Sequence, residues 1–171
     1  AFESKREIFV VTREQGSGTR DAFVELTGIL VKVDGKKKDN TSKEALTIDG
    51  TQAVMSNIAG NEYAIGYISL GSLNSSVKAI SVNGNPISAE TVKNGTYPIS
   101  RPFNIATKGT VSAVAEDFIA FILSDEGQAV VEKNGYIAVQ SGTKYAGKKP
   151  SGKIVIAGSS SVSPVMEKLK E

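Results

Sequence analysis

The sequence predicts an α/β protein, and three observations carry that reading. Short β-branched apolar runs alternate with segments of helical period, glycine-rich breaks fall between them, and 171 residues suffice for one ordinary domain with a real core. Residues 8–12 form the first strand candidate, and Gly16-Ser17-Gly18-Thr19 breaks its pattern. A helix then follows, with Ala22, Phe23 and Leu26 on one face. Residues 31–48 read as a polar loop or a ragged hairpin. The run Lys36-Lys37-Lys38, followed by Asp39-Asn40-Thr41-Ser42, reads within it as a solvated loop. A helix is predicted over residues 51–59, with Ala53, Val54 and Ile58 inward, and Gly60-Asn61 ends it.

Further strands are predicted at residues 63–69, 77–82 and 99–107, the last with Pro102 near its start, where a missing amide donor suits a strand entry or an edge. Val111, Val114, Ala115, Phe118, Ile119 and Ile122 give the clearest amphipathic helix. Ser124 is placed to cap a second helix that stops at Gly135, and residues 136–139 read as a short strand. Residues 141–152 have the Gly, Ser, Pro and Lys content of a linker. Residues 153–157 then read as a strand and Gly158-Ser159-Ser160-Ser161 as a turn. A last helix is expected to open with Ser163 as cap and Pro164 in its first position.

Absences narrow the chemistry. With no His and no Cys, Ser-His-Asp and Cys-His catalysis, thiolate redox chemistry and the usual zinc sites are excluded. Carboxylate, Lys and Ser-Lys chemistry are not. No metal cluster, cofactor motif or nucleophile with its base is evident, so neither a cofactor nor catalysis is expected. A net charge of +2 is too small for a general nucleic-acid footprint. No apolar run approaches the ~18 residues of a membrane span, and no signal-peptide pattern opens the sequence.

One local design occurs twice. Ile8-Phe9-Val10-Val11 leads to Gly16-Ser17-Gly18-Thr19 and a helix; Ile154-Val155-Ile156-Ala157 leads to Gly158-Ser159-Ser160-Ser161 and a helix. A helix start carries unpaired amides and partial positive charge, so it attracts oxyanions; glycine admits close approach, and Ser and Thr add neutral donors. Arg13 before the first turn and Arg20 just inside its helix add guanidinium forks suited to phosphate. The plainer reading is that such turns merely cap helices. The first turn is not a Walker A loop, because no Lys follows Gly18.

Several stretches together resemble the phosphate-binding receptors of bacterial ABC phosphate transporters. They are Arg13-Glu14-Gln15-Gly16-Ser17-Gly18-Thr19-Arg20-Asp21-Ala22-Phe23, Ala64-Ile65-Gly66-Tyr67-Ile68-Ser69-Leu70-Gly71, Tyr97-Pro98-Ile99-Ser100-Arg101-Pro102-Phe103, Leu123-Ser124-Asp125-Glu126-Gly127-Gln128 and Gly158-Ser159-Ser160-Ser161. The resemblance implies a periplasmic-binding-protein-like fold, a three-layer mixed sheet flanked by helices. It implies a two-lobed receptor that closes on inorganic phosphate and docks on a transporter permease, with a periplasmic or extracellular location. By matching position, Arg13, Ser17, Gly18 and Thr19 would bind phosphate from one lobe, with the Ser160 hydroxyl and the Ser161 amide from the other. Gln15 stands where similar proteins often carry an acidic residue near the Arg.

Two departures from the family follow. Gly158-Ser159-Ser160-Ser161 belongs near the start of such proteins, and part of the first lobe, expected between Lys5 and Arg6 with a further Ser and an Asp, is missing. Val162, Met166 and Leu169 recur at i, i+4 and i+7, and Phe2 would continue the face if Ala1 followed Glu171. The chain is therefore read as an engineered circular permutant with a deletion: residues 1–140 from the central and C-terminal parts of the parent, 141–152 a linker joining its old ends, 153–171 its N-terminal strand and helix. A natural short homologue is the alternative. A folding scaffold with a vestigial oxyanion site is the competing function, sulfate the competing ligand, and a homodimer or swapped assembly would cover surface left bare by a missing half-lobe.

Overall fold

The computed structural model describes residues 6–139 and 141–171. The chain divides into two compact units, Ala1–Arg101 and Pro102–Glu171.

In the first unit the strand β1 (Phe9–Arg13) is central. It pairs in parallel with β4 (Leu46–Ile48) on one side and β5 (Ala64–Ile65) on the other. An apolar run suits a strand with two parallel neighbours, although Ile8, Phe9 and Val10 at its start stay 47%, 42% and 42% exposed. Its buried part is the C-terminal half, where Val11, Thr12 and Arg13 are 1%, 4% and 1% exposed. Helix α1 (Gly18–Leu26) follows β1, and α2 (Thr51–Ala59) follows β4. Val54 and Met55 of α2 join Val11 and Val24 in the core. On α1 the buried residues are Arg20 and Val24; Ala22 and Phe23 are partly covered and Leu26 is exposed, so the inward face is turned from the one the apolar pattern predicts. The buried guanidinium of Arg20, described below, is the cause.

Of the two readings of residues 31–48 the hairpin holds, and a strand of the main sheet lies beyond it. Strands β2 (Leu30–Val33) and β3 (Lys36–Asp39) make an antiparallel hairpin, and Leu46–Ile48 is a strand of the main sheet. The hairpin tip, Asp34-Gly35, takes φ of 51° and 76°, the doubly positive φ that a two-residue turn needs to follow strand twist. Lys36-Lys37-Lys38 is exposed, as read, but is a strand rather than a loop.

Helix α3 (Ala89–Lys93) is short and closed by a Ser88–Thr91 capping box. The second unit is mostly helical. Helix α4 (Ala113–Ile122) and α5 (Asp125–Lys133) start on Ser112 and Ser124, whose hydroxyls accept from the Ala115 and Gly127 amides. Gly135, at φ 80°, follows the end of α5. Helix α6 (Ser163–Lys170) packs Val165 and Leu169 against Tyr136, with Phe118, Phe121, Ile122, Val162 and Met166 around them. Its cap is Val162, and Pro164 is its second residue, one place later than the Ser163 cap predicts. Phe2, the expected continuation of this face, lies outside the described residues.

Five predicted strands are absent or shortened. Residues 63–69 form a ladder only at Ala64–Ile65, before a 3-10 turn at Leu70–Ser72. Residues 77–82 offer one isolated bridge, Val82 to Asn85. Residues 99–107, 136–139 and 153–157 are unpaired, although their β-branched content suits a strand. Propensity proposes a strand, but a hydrogen-bonded neighbour makes one, and among the described residues these runs have none. Val155 and Ile156 are 87% and 54% exposed in consequence. Residues 141–145 dock instead on α5: Gly142 donates to Asp125, the Asp125 amide to the Thr143 carbonyl, and the Tyr145 amide to Glu126.

Candidate oxyanion site

The candidate site starts where β1 ends. Beyond Arg13 the chain turns through Gly16 (φ 86°), a conformation other residues adopt at a cost, and enters α1 at Gly18. Ser17 is 4% exposed and caps the helix, its Oγ accepting from the Arg20 amide at 3.3 Å. The first i→i−4 bond of the helix runs from the Asp21 amide to the Ser17 carbonyl, at 2.9 Å. The Gly18 and Thr19 amides therefore precede the helical ladder, at its positive end. Arg13, Ser17, Gly18 and Thr19 thus lie together on one strand-to-helix turn.

Arg13 is 1% exposed, and a cation so buried requires partners. Its Nε and NH2 donate to the two carboxylate oxygens of Glu14, each at 2.7 Å, and NH1 donates to the Thr51 hydroxyl at 3.1 Å. Glu14 also accepts from the Gly50 amide at 3.4 Å. The Arg13 fork holds the Glu14 carboxyl at about 2, below its ordinary 4.5. Glu14 is thus the acidic partner whose family position holds Gln15. The sequence reading missed it because neighbours on a strand point to opposite faces; Glu14 escapes that rule by lying one residue past the end of β1.

Arg20 is not an anion fork. Its Nε and NH2 donate to Asp39 Oδ2 at 3.3 and 2.7 Å, and NH1 donates to the Arg13 carbonyl at 2.6 Å and Thr12 Oγ1 at 3.4 Å. Tyr67 holds the same residue from its amide side. Its hydroxyl accepts from the Arg13 amide at 3.1 Å and bonds Thr12 Oγ1 at 2.7 Å, while its ring stacks on Phe23 at 4.0 Å. Arg20 and Tyr67 fix the Arg13 backbone where strand pairing to β5 has stopped. Asp39, held by the Thr41 hydroxyl and then by Arg20, is lowered from 3.8 to about 2.

Two depressed carboxyls give a pH prediction. Each is charged in the folded state down to about pH 2 and, unfolded, only above about pH 4, so each adds stability that is present above pH ~4.5 and lost as pH falls towards 2. Urea midpoints should fall across that window, and a Glu14→Gln, Asp39→Asn double variant should flatten the slope. A double variant with the parent's slope would assign acid sensitivity to other groups.

The second turn lies in the other unit. Ser161 is 1% exposed, its carbonyl accepts from the Tyr136 hydroxyl at 2.7 Å, and its amide donates to Ser159 Oγ at 3.3 Å. Ser160 beside it is exposed. Among the described residues, no group of three or more His, Cys, Asp or Glu is placed to hold a metal ion, and no helix is long and apolar enough to cross a membrane.

The strand-to-helix turn lies at the carboxyl end of a parallel strand, the place where open α/β sheets bind their ligands. The family model described as a PBP superfamily domain matches residues 2–126, and the chain belongs to that superfamily. It is 53% identical over 170 residues to "Phosphate-binding protein PstS 2" of Streptococcus agalactiae, covering 98% of this chain and 58% of the relative. A phosphate-binding protein of a phosphate ABC transporter from Streptococcus pneumoniae superposes with a TM-score of 0.79 at 50% identity, over 95% of this chain and 64% of that one. A phosphate ABC transporter substrate-binding protein from Clostridium perfringens, with bound phosphate, gives 0.68 at 40% identity, over 78% and 52%.

These overlaps correct the reading of an engineered rearrangement. An alignment through 98% of the chain carries residues 158–161 after the first turn in the S. agalactiae protein too, so the order occurs in a natural relative. Its 170 positions also leave no room for a large deletion between Lys5 and Arg6. The chain spans 58% of that relative's length.

Proposed function

We propose that this chain is part of a receptor that binds inorganic phosphate for an ABC transporter, without catalysis. The observation that carries the reading is Arg13, buried at the end of β1 beside the first amides of α1. A guanidinium and a helix N-terminus together suit a tetrahedral oxyanion, and the names of the relatives supply phosphate. Arg13, Ser17, Gly18 and Thr19 would contact the anion on the first unit, and the resemblance adds the Ser160 hydroxyl and the Ser161 amide, the latter in place of its bond to Ser159 Oγ. Residues 141–152 would connect the 1–140 region to the 153–171 segment. The whole protein would work outside the cytoplasm and dock on a permease; a homodimer would be secondary to that role. Titration calorimetry with phosphate tests the reading, and no heat at millimolar phosphate would reduce the site to a vestige.

Selectivity gives a further prediction. Phosphate keeps a proton at neutral pH and sulfate has none, so a receptor rejects sulfate through a buried acceptor that only a protonated oxygen satisfies. Both oxygens of Glu14 are engaged by Arg13, and the other proposed contacts are potential donors with no carboxylate among them. Sulfate should therefore bind within about tenfold of phosphate, ~1.4 kcal/mol. Side-by-side calorimetry at fixed ionic strength decides it, and a preference above about a hundredfold would reveal a sorting carboxylate elsewhere.

A further inference from the structure

The β2–β3 hairpin carries a charge pattern that the anion site does not use. Its register sets Lys32 directly opposite Lys37, Val31 opposite Lys38 and Val33 opposite Lys36. Like charges facing each other across a strand pair are destabilising. All four lysines are exposed, and among the described residues none pairs with a carboxylate. Of the hairpin's two acids, Asp39 is committed to Arg20 through one oxygen and to Thr41 through the other, and Asp34 at the tip makes no ion pair with the lysines among the described residues. That commitment anchors the base of β3, so the lysines stand on a braced element and not on a loose loop. Val33, 49% exposed, adds an apolar contact near the tip.

We propose that this hairpin is a docking arm for an acidic groove on a partner protein. Side chains alternate along a strand, so Lys32 and Lys37 project from one face and Lys36 and Lys38 from the other. Ammonium groups on both faces fit a groove with two acidic walls. A flat anionic membrane would engage one face only, or the tip, where Asp34 would meet it with like charge. The hairpin's repulsion is relieved when carboxylates of the partner insert beside the lysines, and the arm supplies steering and register rather than deep apolar burial.

Poly-L-glutamate is a probe for such walls and is independent of the phosphate site. Its binding to the intact chain is measured by fluorescence anisotropy at low salt, for the parent, for Lys32→Gln with Lys37→Gln, and for Lys36→Gln with Lys38→Gln. Lys78→Gln with Lys108→Gln, two exposed lysines elsewhere, removes the same charge as a control. Each hairpin pair should weaken binding by about tenfold while the control stays within about twofold. Melting temperatures at or above the parent's show that the hairpin variants remain folded. Equal losses in hairpin and control variants would mean that net charge alone is read, and would overturn the proposal. Phosphatidylglycerol vesicles form the last arm: hairpin-dependent vesicle binding without poly-L-glutamate binding would assign the arm to a lipid surface instead.

Discussion

Arg13→Ala is expected to weaken phosphate binding by about 2–4 kcal/mol, roughly thirtyfold to a thousandfold, the cost of truncating one partner of a desolvated charge pair. The size follows from where Arg13 sits. At 1% exposure its guanidinium is shielded from solvent, and its backbone is held on both sides, the amide by Tyr67 and the carbonyl by Arg20. Binding should therefore meet a fork already oriented, with little ordering left to offset the interaction. The substitution also leaves Glu14 without its cation, so a carboxylate beside the anion would add repulsion. Calorimetry on the purified variant reads the loss, with circular dichroism to show that the fold is kept. An affinity within twofold of the parent would remove Arg13 from the site.

The second large effect is on stability. Leu169→Ala is expected to destabilise the second unit by about 2–4 kcal/mol. Leu169 is 4% exposed and shares a small cluster with Tyr136 and Val165. A core of three buried residues with a ring of half-buried neighbours has few others to close a cavity, and the Tyr136 hydroxyl is pinned to the Ser161 carbonyl, which limits its shift. Denaturant melts followed in the far ultraviolet provide the test. A change below about 0.5 kcal/mol would mean that the end of α6 frays in the parent.

The elements that the sequence revealed are those whose signal is local. The bounds of the helix at Thr51–Ala59 were legible, because its apolar period and the Gly60-Asn61 stop are local, although its buried residues are Thr51, Val54 and Met55 and of the expected Ala53, Val54 and Ile58 only Val54 is buried. The Ser124 cap was legible for the same reason. Strands fared worse, since a strand is a relation between two segments. Leu46–Ile48 is hidden in polar sequence yet pairs with β1, whereas residues 153–157 look like a strand and pair with nothing described. At the site, Arg13, Ser17, Gly18 and Thr19 were legible as a motif. The exchange of roles around them was not: Arg20 proves to be a brace because Asp39, nineteen residues on, takes its charge, and Glu14 supplies what Gln15 lacks. Both depend on where side chains meet, which spacing alone does not encode.

The unequal strand pairing gives the molecule two clocks. Each β1 residue is paired with β5 or β4, and Val11 and Met55 are buried, so β1 amides should exchange with solvent deuterium only when the unit opens. Amides at residues 153–157 have no ladder partner among the described residues and sit beside a Val155 that is 87% exposed, so they exchange almost as fast as a free peptide. The same run offers an open backbone edge to any extended chain it meets. Crowding and time on the ribosome, before other segments can cover it, are therefore when this polypeptide is most exposed to wrong pairing, and that hazard sits immediately before the Gly158-Ser159-Ser160-Ser161 turn.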